Sequence, residues 1–221
     1  MRVALRVRPL IKKELFEKQI VKAFEDNNTV TIGGEKLFTF DACFSQESRQ
    51  EDVFDRCVKN LVLGCFLGYN ATVLAYGQTG SGKTWTMGSG YTSGLTEDEF
   101  GIIPRVIRLI FEEVEKRKGK TEFIIKCSFL EIYNEELNDL LDANSLQQAM
   151  ATGERSNKIN IREEKNGSIS VYGLKEEKVD NAEELATCLD RGSNMRTTAS
   201  TLMNNNSSRS HAIFTISIEQ H

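Results

Sequence analysis

A short β-prone run, Thr72-Val73-Leu74-Ala75-Tyr76, leads directly into Gly77-Gln78-Thr79-Gly80-Ser81-Gly82-Lys83-Thr84. This stretch limits the fold most, because a strand, a glycine-rich turn and a helix start must follow one another without a gap. A turn of that kind aims several backbone N–H groups at one point, where the positive end of the helix dipole also lies, so the place favours an anion. Gly77, Gly80 and Gly82 carry no Cβ, which lets the chain pass close to phosphate oxygens. The Lys83 ammonium reaches β- and γ-phosphates, and the Thr84 hydroxyl suits Mg²⁺. The segment reads as a phosphate-binding loop for a nucleoside triphosphate.

Composition allows an ordinary globular protein without naming its task. The 221 residues suffice for one domain with a continuous core, and 39% hydrophobic with 27% charged residues are typical proportions. No apolar run approaches the roughly 20 residues that span a bilayer, so no membrane partner is expected. The first residues, Met1-Arg2-Val3-Ala4-Leu5-Arg6-Val7-Arg8-Pro9, alternate apolar and basic side chains and read as a strand, not as a signal peptide. Five scattered cysteines and two histidines form neither a zinc pattern nor a disulfide framework, which fits a reducing cytosol. A net charge of −4 argues against direct nucleic-acid binding by this segment. The basic run Lys116-Arg117-Lys118-Gly119-Lys120 falls where a helix should end, and cations there satisfy the helix dipole.

Along the chain, strand and helix periods alternate, the mark of a layered α/β domain. Residues 29–32 and 36–40 flank Gly33-Gly34 as a hairpin. Ser48-x-x-Glu51 reads as a capping box before a helix with Val53, Phe54, Cys57, Val58, Leu61, Val62 and Cys65 on one face, stopped near Gly68. Residues 88–101 read as an exposed loop. Pro104 suits a first helical position, and Val106, Ile107, Ile110, Phe111 and Val114 keep helical spacing. Residues 123–133 read as a long buried strand, residues 145–157 as a polar, mobile segment, and Asn166-Gly167 as the turn of a second, protruding hairpin. Asn181-x-x-Glu184 caps a helix carrying Leu185, Cys188, Leu189 and Met195, and a strand covers residues 211–218.

Between that helix and that strand lies Asn204-Asn205-Asn206-Ser207-Ser208-Arg209-Ser210-His211. Taken alone it reads as a solvated turn. Paired with the glycine loop, its hydroxyls, amides and guanidinium can together hydrogen-bond a phosphate, its Mg²⁺ and an attacking water.

Four motifs in order resemble the kinesin motor domain, with the chromokinesin branch as the most similar. They are Arg6-Val7-Arg8-Pro9, the stretch from Gly68-Tyr69-Asn70 into the phosphate loop, Leu130-Glu131-Ile132-Tyr133-Asn134-Glu135-Glu136, and Ser207-Ser208-Arg209-Ser210-His211. The resemblance implies a P-loop NTPase three-layer α/β fold, with a central mostly parallel sheet and helices on both faces. It implies that the purine of ATP or ADP lies against Pro9, with Arg6 and Arg8 at its edge and Trp85 offering its indole face, packing near a helix start being the competing role for Trp85. It further implies that Thr84 and Ser208 hold Mg²⁺, that Asn204 and Ser207 orient phosphate or water, and that Arg209 pairs with a carboxylate of a second switch.

In the family that second switch is a D-x-x-G-x-E segment after the last strand seen here, and this sequence reaches only His221. Residues 1–221 are therefore expected to be part of one motor domain, incomplete, with further strands, the main microtubule-binding helix and the neck lying beyond. The function expected is the ATP-binding part of a motor that couples ATP hydrolysis to movement along microtubules, in the cytoplasm and cytoskeleton with nuclear or spindle association as a further place. The fragment alone is expected to fold poorly and to lack activity, and the oligomeric state is expected to be set by a stalk outside it. The alternative is a short nucleotide-binding interaction module without efficient hydrolysis or motility.

Overall fold

The computed structural model describes residues 1–88, 96–142, 159–202 and 210–221. They fall in two compact units that divide between Leu109 and Ile110, within one helix. No helix among the described residues is long and apolar enough to cross a membrane.

In the first unit, β1 (Ala4–Arg6) pairs in parallel with β5 (Ala42–Phe44), Arg6 opposite Phe44. All three residues of β5 are buried, so this strand carries much of the local core. Beside it β2 (Val21–Phe24), β3 (Thr29–Ile32) and β4 (Lys36–Thr39) form an antiparallel meander, with the expected glycine turn joining β3 to β4. The helix expected after residue 48 is two helices, α1 (Gln50–Cys57) and α2 (Lys59–Cys65), broken at Val58. Val53, Phe54, Val58 and Val62 of the expected apolar face are buried, and Leu61 is not.

The start of α1 differs from the expected Ser48/Glu51 box by one residue. Ser48 Oγ donates instead to Glu25 Oε1 at 2.6 Å. The Arg49 N–H then donates to Asp52 Oδ2 at 2.8 Å, so the reciprocal acid sits at the third helical position counted from Arg49. Gly68 ends α2 as expected, its N–H donating to the Cys65 carbonyl at 3.0 Å.

Residues 72–76, expected as the strand before the glycine loop, pair with no described strand. Leu74 and Tyr76 are 82% and 96% exposed. The composition is apolar and β-branched, but a ladder needs a neighbour to receive its hydrogen bonds. After the loop come α3 (Lys83–Met87) and the first turns of α4 (Ile102–Arg117), where Pro104 is buried in the first turn.

The second unit is built on β6 (Phe123–Tyr133), the long buried strand that was expected. It pairs antiparallel with β7 (Glu136–Asp139), β10 (Glu177–Val179) and β11 (His211–Gln220). Parallel pairing among the described strands is thus found at β1 and β5. Helix α5 (Ala182–Leu202) starts at the predicted cap, the Glu184 N–H donating to Asn181 Oδ1 at 2.9 Å and Asn181 Nδ2 to Glu184 Oε1 at 2.8 Å. Leu185, Cys188, Leu189 and Gly192 repeat on its buried face. At Gly192 the helix approaches so closely that an added Cβ would stand 2.9 Å from Phe129 Cε1. Phe129 meets Phe214 of β11 edge to face, with 5.2 Å between ring centres.

The hairpin β8 (Asn160–Glu163) and β9 (Ile169–Tyr172) forms its own two-stranded sheet around the Asn-Gly turn. At the end of α4, Lys116 and Arg117 both bind Glu113 and Lys118 binds Glu115, so the basic run is paired off as its position at a helix terminus implied. All five cysteines are free thiols. Burial, aided by contact with Cys188, pushes the Cys127 thiol up to about 12. The expected polar segment 145–157 lies outside the described residues.

Candidate functional site

Helix α3 begins at Gly82, whose φ of +96° is open to glycine at little cost and strains other residues. The turn before it is closed by the Ser81 N–H on the Gln78 carbonyl at 3.2 Å. Lys83 folds back over the loop, and its Nζ donates to the carbonyls of Gly77 at 2.7 Å and Gln78 at 3.0 Å. The ammonium is therefore held at the loop by two neutral acceptors, which anionic oxygens would replace with gain, since charge-assisted bonds are roughly twice as strong. Gly77 has no room for a side chain, because an added Cβ would stand 2.5 Å from Ser81 Oγ. Thr84, exposed at the second position of α3, offers a hard oxygen donor of the type Mg²⁺ prefers. Among the described residues, no cluster of three acidic, histidine or cysteine side chains is placed to hold a metal.

Two arginines from β1 and the residues after it reach this region in different ways. Arg6 Nη1 donates to Gln50 Oε1 at 2.7 Å and to Thr86 Oγ1 at 3.0 Å, and Nη2 to the Ser48 carbonyl at 3.3 Å. Burial draws the Arg6 pKa down, opposed by the charge of Asp52. Arg8 Nε donates to the Gly80 carbonyl at 2.9 Å, and its two terminal nitrogens grip Glu14 at 2.7 and 2.8 Å. Pro9 is exposed, and Trp85 is half exposed.

Gln50 was missed in the sequence. It is 4% exposed, and besides accepting from Arg6 it donates through Nε2 to the Trp85 carbonyl at 2.7 Å. One amide thus ties β1, α1 and α3 together. The signal was its place three and four residues before Val53 and Phe54, which puts a polar group on the apolar face of α1. Glu14 was also missed; it was an acid in a run of basic and apolar residues, Leu10-Ile11-Lys12-Lys13-Glu14.

Asn204, Ser207, Ser208 and Arg209 lie outside the described residues. The residues flanking them, in the second unit, are described. Arg196 on α5 donates through Nη2 to the Ser210 carbonyl at 2.9 Å and to Ser210 Oγ at 3.0 Å, and pairs through Nε with Glu131 Oε1 at 3.3 Å. Glu131, from the Leu130-Glu131-Ile132-Tyr133 motif, is 7% exposed. That motif therefore works as an internal anchor for the residue that precedes β11.

The family model described as "Kinesin motor domain" matches residues 6–221. Chromosome-associated kinesin KIF4 of Mus musculus is 50% identical over 99% of this chain, and chromosome-associated kinesin KIF4B of Homo sapiens is 52% identical over 99%. The chain spans 17% of the length of each of these relatives. A solved fast kinesin, described for its ATPase mechanism and interactions with microtubules, superposes with a TM-score of 0.87 at 37% identity. It is matched by the whole of this chain, which covers 60% of it.

Proposed function

The chain belongs to the kinesin motor-domain family, with a P-loop NTPase fold, and from that premise we propose that it is the ATP-binding part of a motor that couples ATP hydrolysis to movement along microtubules. The observation that carries the proposal is the glycine loop of residues 77–84 with the Lys83 ammonium folded over it. In this reading residues 1–221 are part of one motor domain, and the partner is the microtubule. The place of action is the cytoskeleton, with spindle or chromosome association by analogy with the chromosome-associated relatives.

Lys83 binds the terminal phosphates by exchanging its two carbonyl acceptors for anionic oxygens. The amides of residues 78–84 cradle the triphosphate, Pro9, Arg6 and Trp85 bound the purine side, and Arg8 lies at the loop through the Gly80 carbonyl. Thr84 and Ser208 are the residues that would hold Mg²⁺, which supplies neutralisation of charge on the phosphate oxygens. Asn204 and Ser207 orient water and the terminal phosphate, and Arg209 stabilises the switch through an ion pair. Catalysis of this type rests on alignment and electrostatic stabilisation, with little covalent work for the protein. The test is the ATPase rate of the full-length protein with and without microtubules: stimulation by microtubules is expected, and ATP turnover that ignores them overturns the proposal.

A further inference from the structure

The guanidinium of Arg8 has five N–H donors in a rigid fork. Four are committed: one from Nε to the Gly80 carbonyl at 2.9 Å, two from Nη1 to the Pro9 carbonyl at 2.9 Å and Glu14 Oε2 at 2.7 Å, and one from Nη2 to Glu14 Oε1 at 2.8 Å. The aliphatic stem of Arg8 lies against Gly82, its Cβ 3.9 Å from where a side chain would begin. Glu14 is itself fixed, because Oε2 also accepts from the Ile11 N–H at 3.1 Å within the short turn Lys12–Glu14. Bonding to Arg8 and to that N–H draws the Glu14 carboxyl down to about 2, so it stays ionised across the physiological range.

The peptide that Arg8 grips is part of the phosphate loop. Its carbonyl, on Gly80, accepts from Arg8, and its N–H, on Ser81, donates to the Gln78 carbonyl at 3.2 Å. A trans peptide is planar, so holding both ends fixes its orientation. A planar fork anchored on a carboxylate is well suited to that, since little rotamer freedom is left to lose when the loop binds a ligand.

We infer that Glu14 is a positioning residue for the phosphate loop: it locks Arg8 onto the Gly80 carbonyl, so that the Arg8–Glu14 pair acts as a strut beneath the triphosphate and not as a reader of the purine edge. The inference rests on the reading of residues 77–84 as a triphosphate site and goes beyond it by naming what pre-organises that site. It separates two roles for Arg8 that predict different ligand dependence. A contact to the purine edge affects ATP alone. A strut affects anything that occupies the loop, base or no base.

The test measures affinities of the full-length protein for ATP and, by competition, for inorganic tripolyphosphate, in wild type, Glu14→Gln, Arg8→Lys and the double variant. Glu14→Gln is expected to weaken both ligands by the same factor, about threefold to tenfold, the range for a partly exposed forked pair. Arg8→Lys keeps the charge but loses the fork, and is expected to do the same; it carries the comparison alone should Glu14→Gln fail to fold. The double variant is expected to bind no more weakly than the worse single one, because both substitutions break one device. Unchanged tripolyphosphate affinity, or a loss confined to ATP, overturns the inference. A wild type that binds neither ligand refutes the triphosphate site itself, a separate and recognisable failure.

Discussion

Replacing Gly192 by alanine sets two opposite effects against each other on helix α5. Alanine in a helix interior is favoured over glycine by about 1 kcal/mol. Here the added methyl would stand 2.9 Å from Phe129 Cε1 and 3.2 Å from Phe129 Cγ. The ring has nowhere to retreat: Phe129 is 5% exposed, sits on the central strand β6, and meets Phe214 at 5.2 Å. Overpacking of this kind costs about 1 to 3 kcal/mol, so the net loss is on the order of 0 to 2 kcal/mol, towards the upper end where the ring cannot move. For a domain of this size that lowers Tm by up to about 8 °C. Because α5 also carries Arg196 to Glu131 and Ser210, the displacement should lower kcat for ATP as well. The assay is thermal unfolding of the full-length protein in wild type, Gly192→Ala, Phe129→Leu and the double variant. The smaller leucine makes room for the methyl, so the double variant should be more stable than the sum of the single losses predicts. A rise in Tm for Gly192→Ala, or strict additivity with Phe129→Leu, refutes the claim that ring contact decides the outcome.

Other outcomes follow from the same geometry. Lys83→Ala in the full-length protein should abolish ATP binding in calorimetry, since the loop loses its cation; an unchanged affinity refutes the role of Lys83. Burial acts to raise the Glu177 carboxyl, but hydrogen bonds from Arg191, Lys175 and Cys188 outweigh it and hold it at about 2. A depressed carboxyl contributes stability that is full above its ordinary value and is lost as pH falls towards about 2. Glu177→Gln should therefore reduce stability near neutral pH and flatten its decline between about pH 4.5 and 2, and a variant with the wild-type acid profile refutes this. The purified 221-residue chain, with Leu74 and Tyr76 exposed on an unpaired run, should bind a hydrophobic dye and unfold over a broad range. A single sharp cooperative transition without dye binding contradicts that expectation.

Much of this arrangement is legible in the sequence because local rules act alone. Asn181 and Glu184 cap α5 as read, since a cap needs only residues three apart. The eleven residues of β6 were legible for a similar reason: hydrophobic and β-branched side chains in an unbroken run select an extended, buried strand. The cap of α1 moved from Ser48 to Arg49 because Glu25, 23 residues away in sequence, takes the Ser48 hydroxyl. Residues 72–76 show the same dependence from the other side, as strand composition without a paired neighbour makes no ladder.

By itself, the sequence determined the family, the glycine turn before α3 and the layered α/β class, because those are written in residue types at short, rigid spacings. Tertiary structure alone decided that Gln50 joins Arg6 to the Trp85 carbonyl, that Glu14 locks Arg8 onto Gly80, and that Arg196 is shared by Glu131 and Ser210. The physical reason is directional. A hydrogen bond forms within about 3 Å and near a straight line. Which of many polar side chains meets a given partner is therefore settled only when distant segments are brought together.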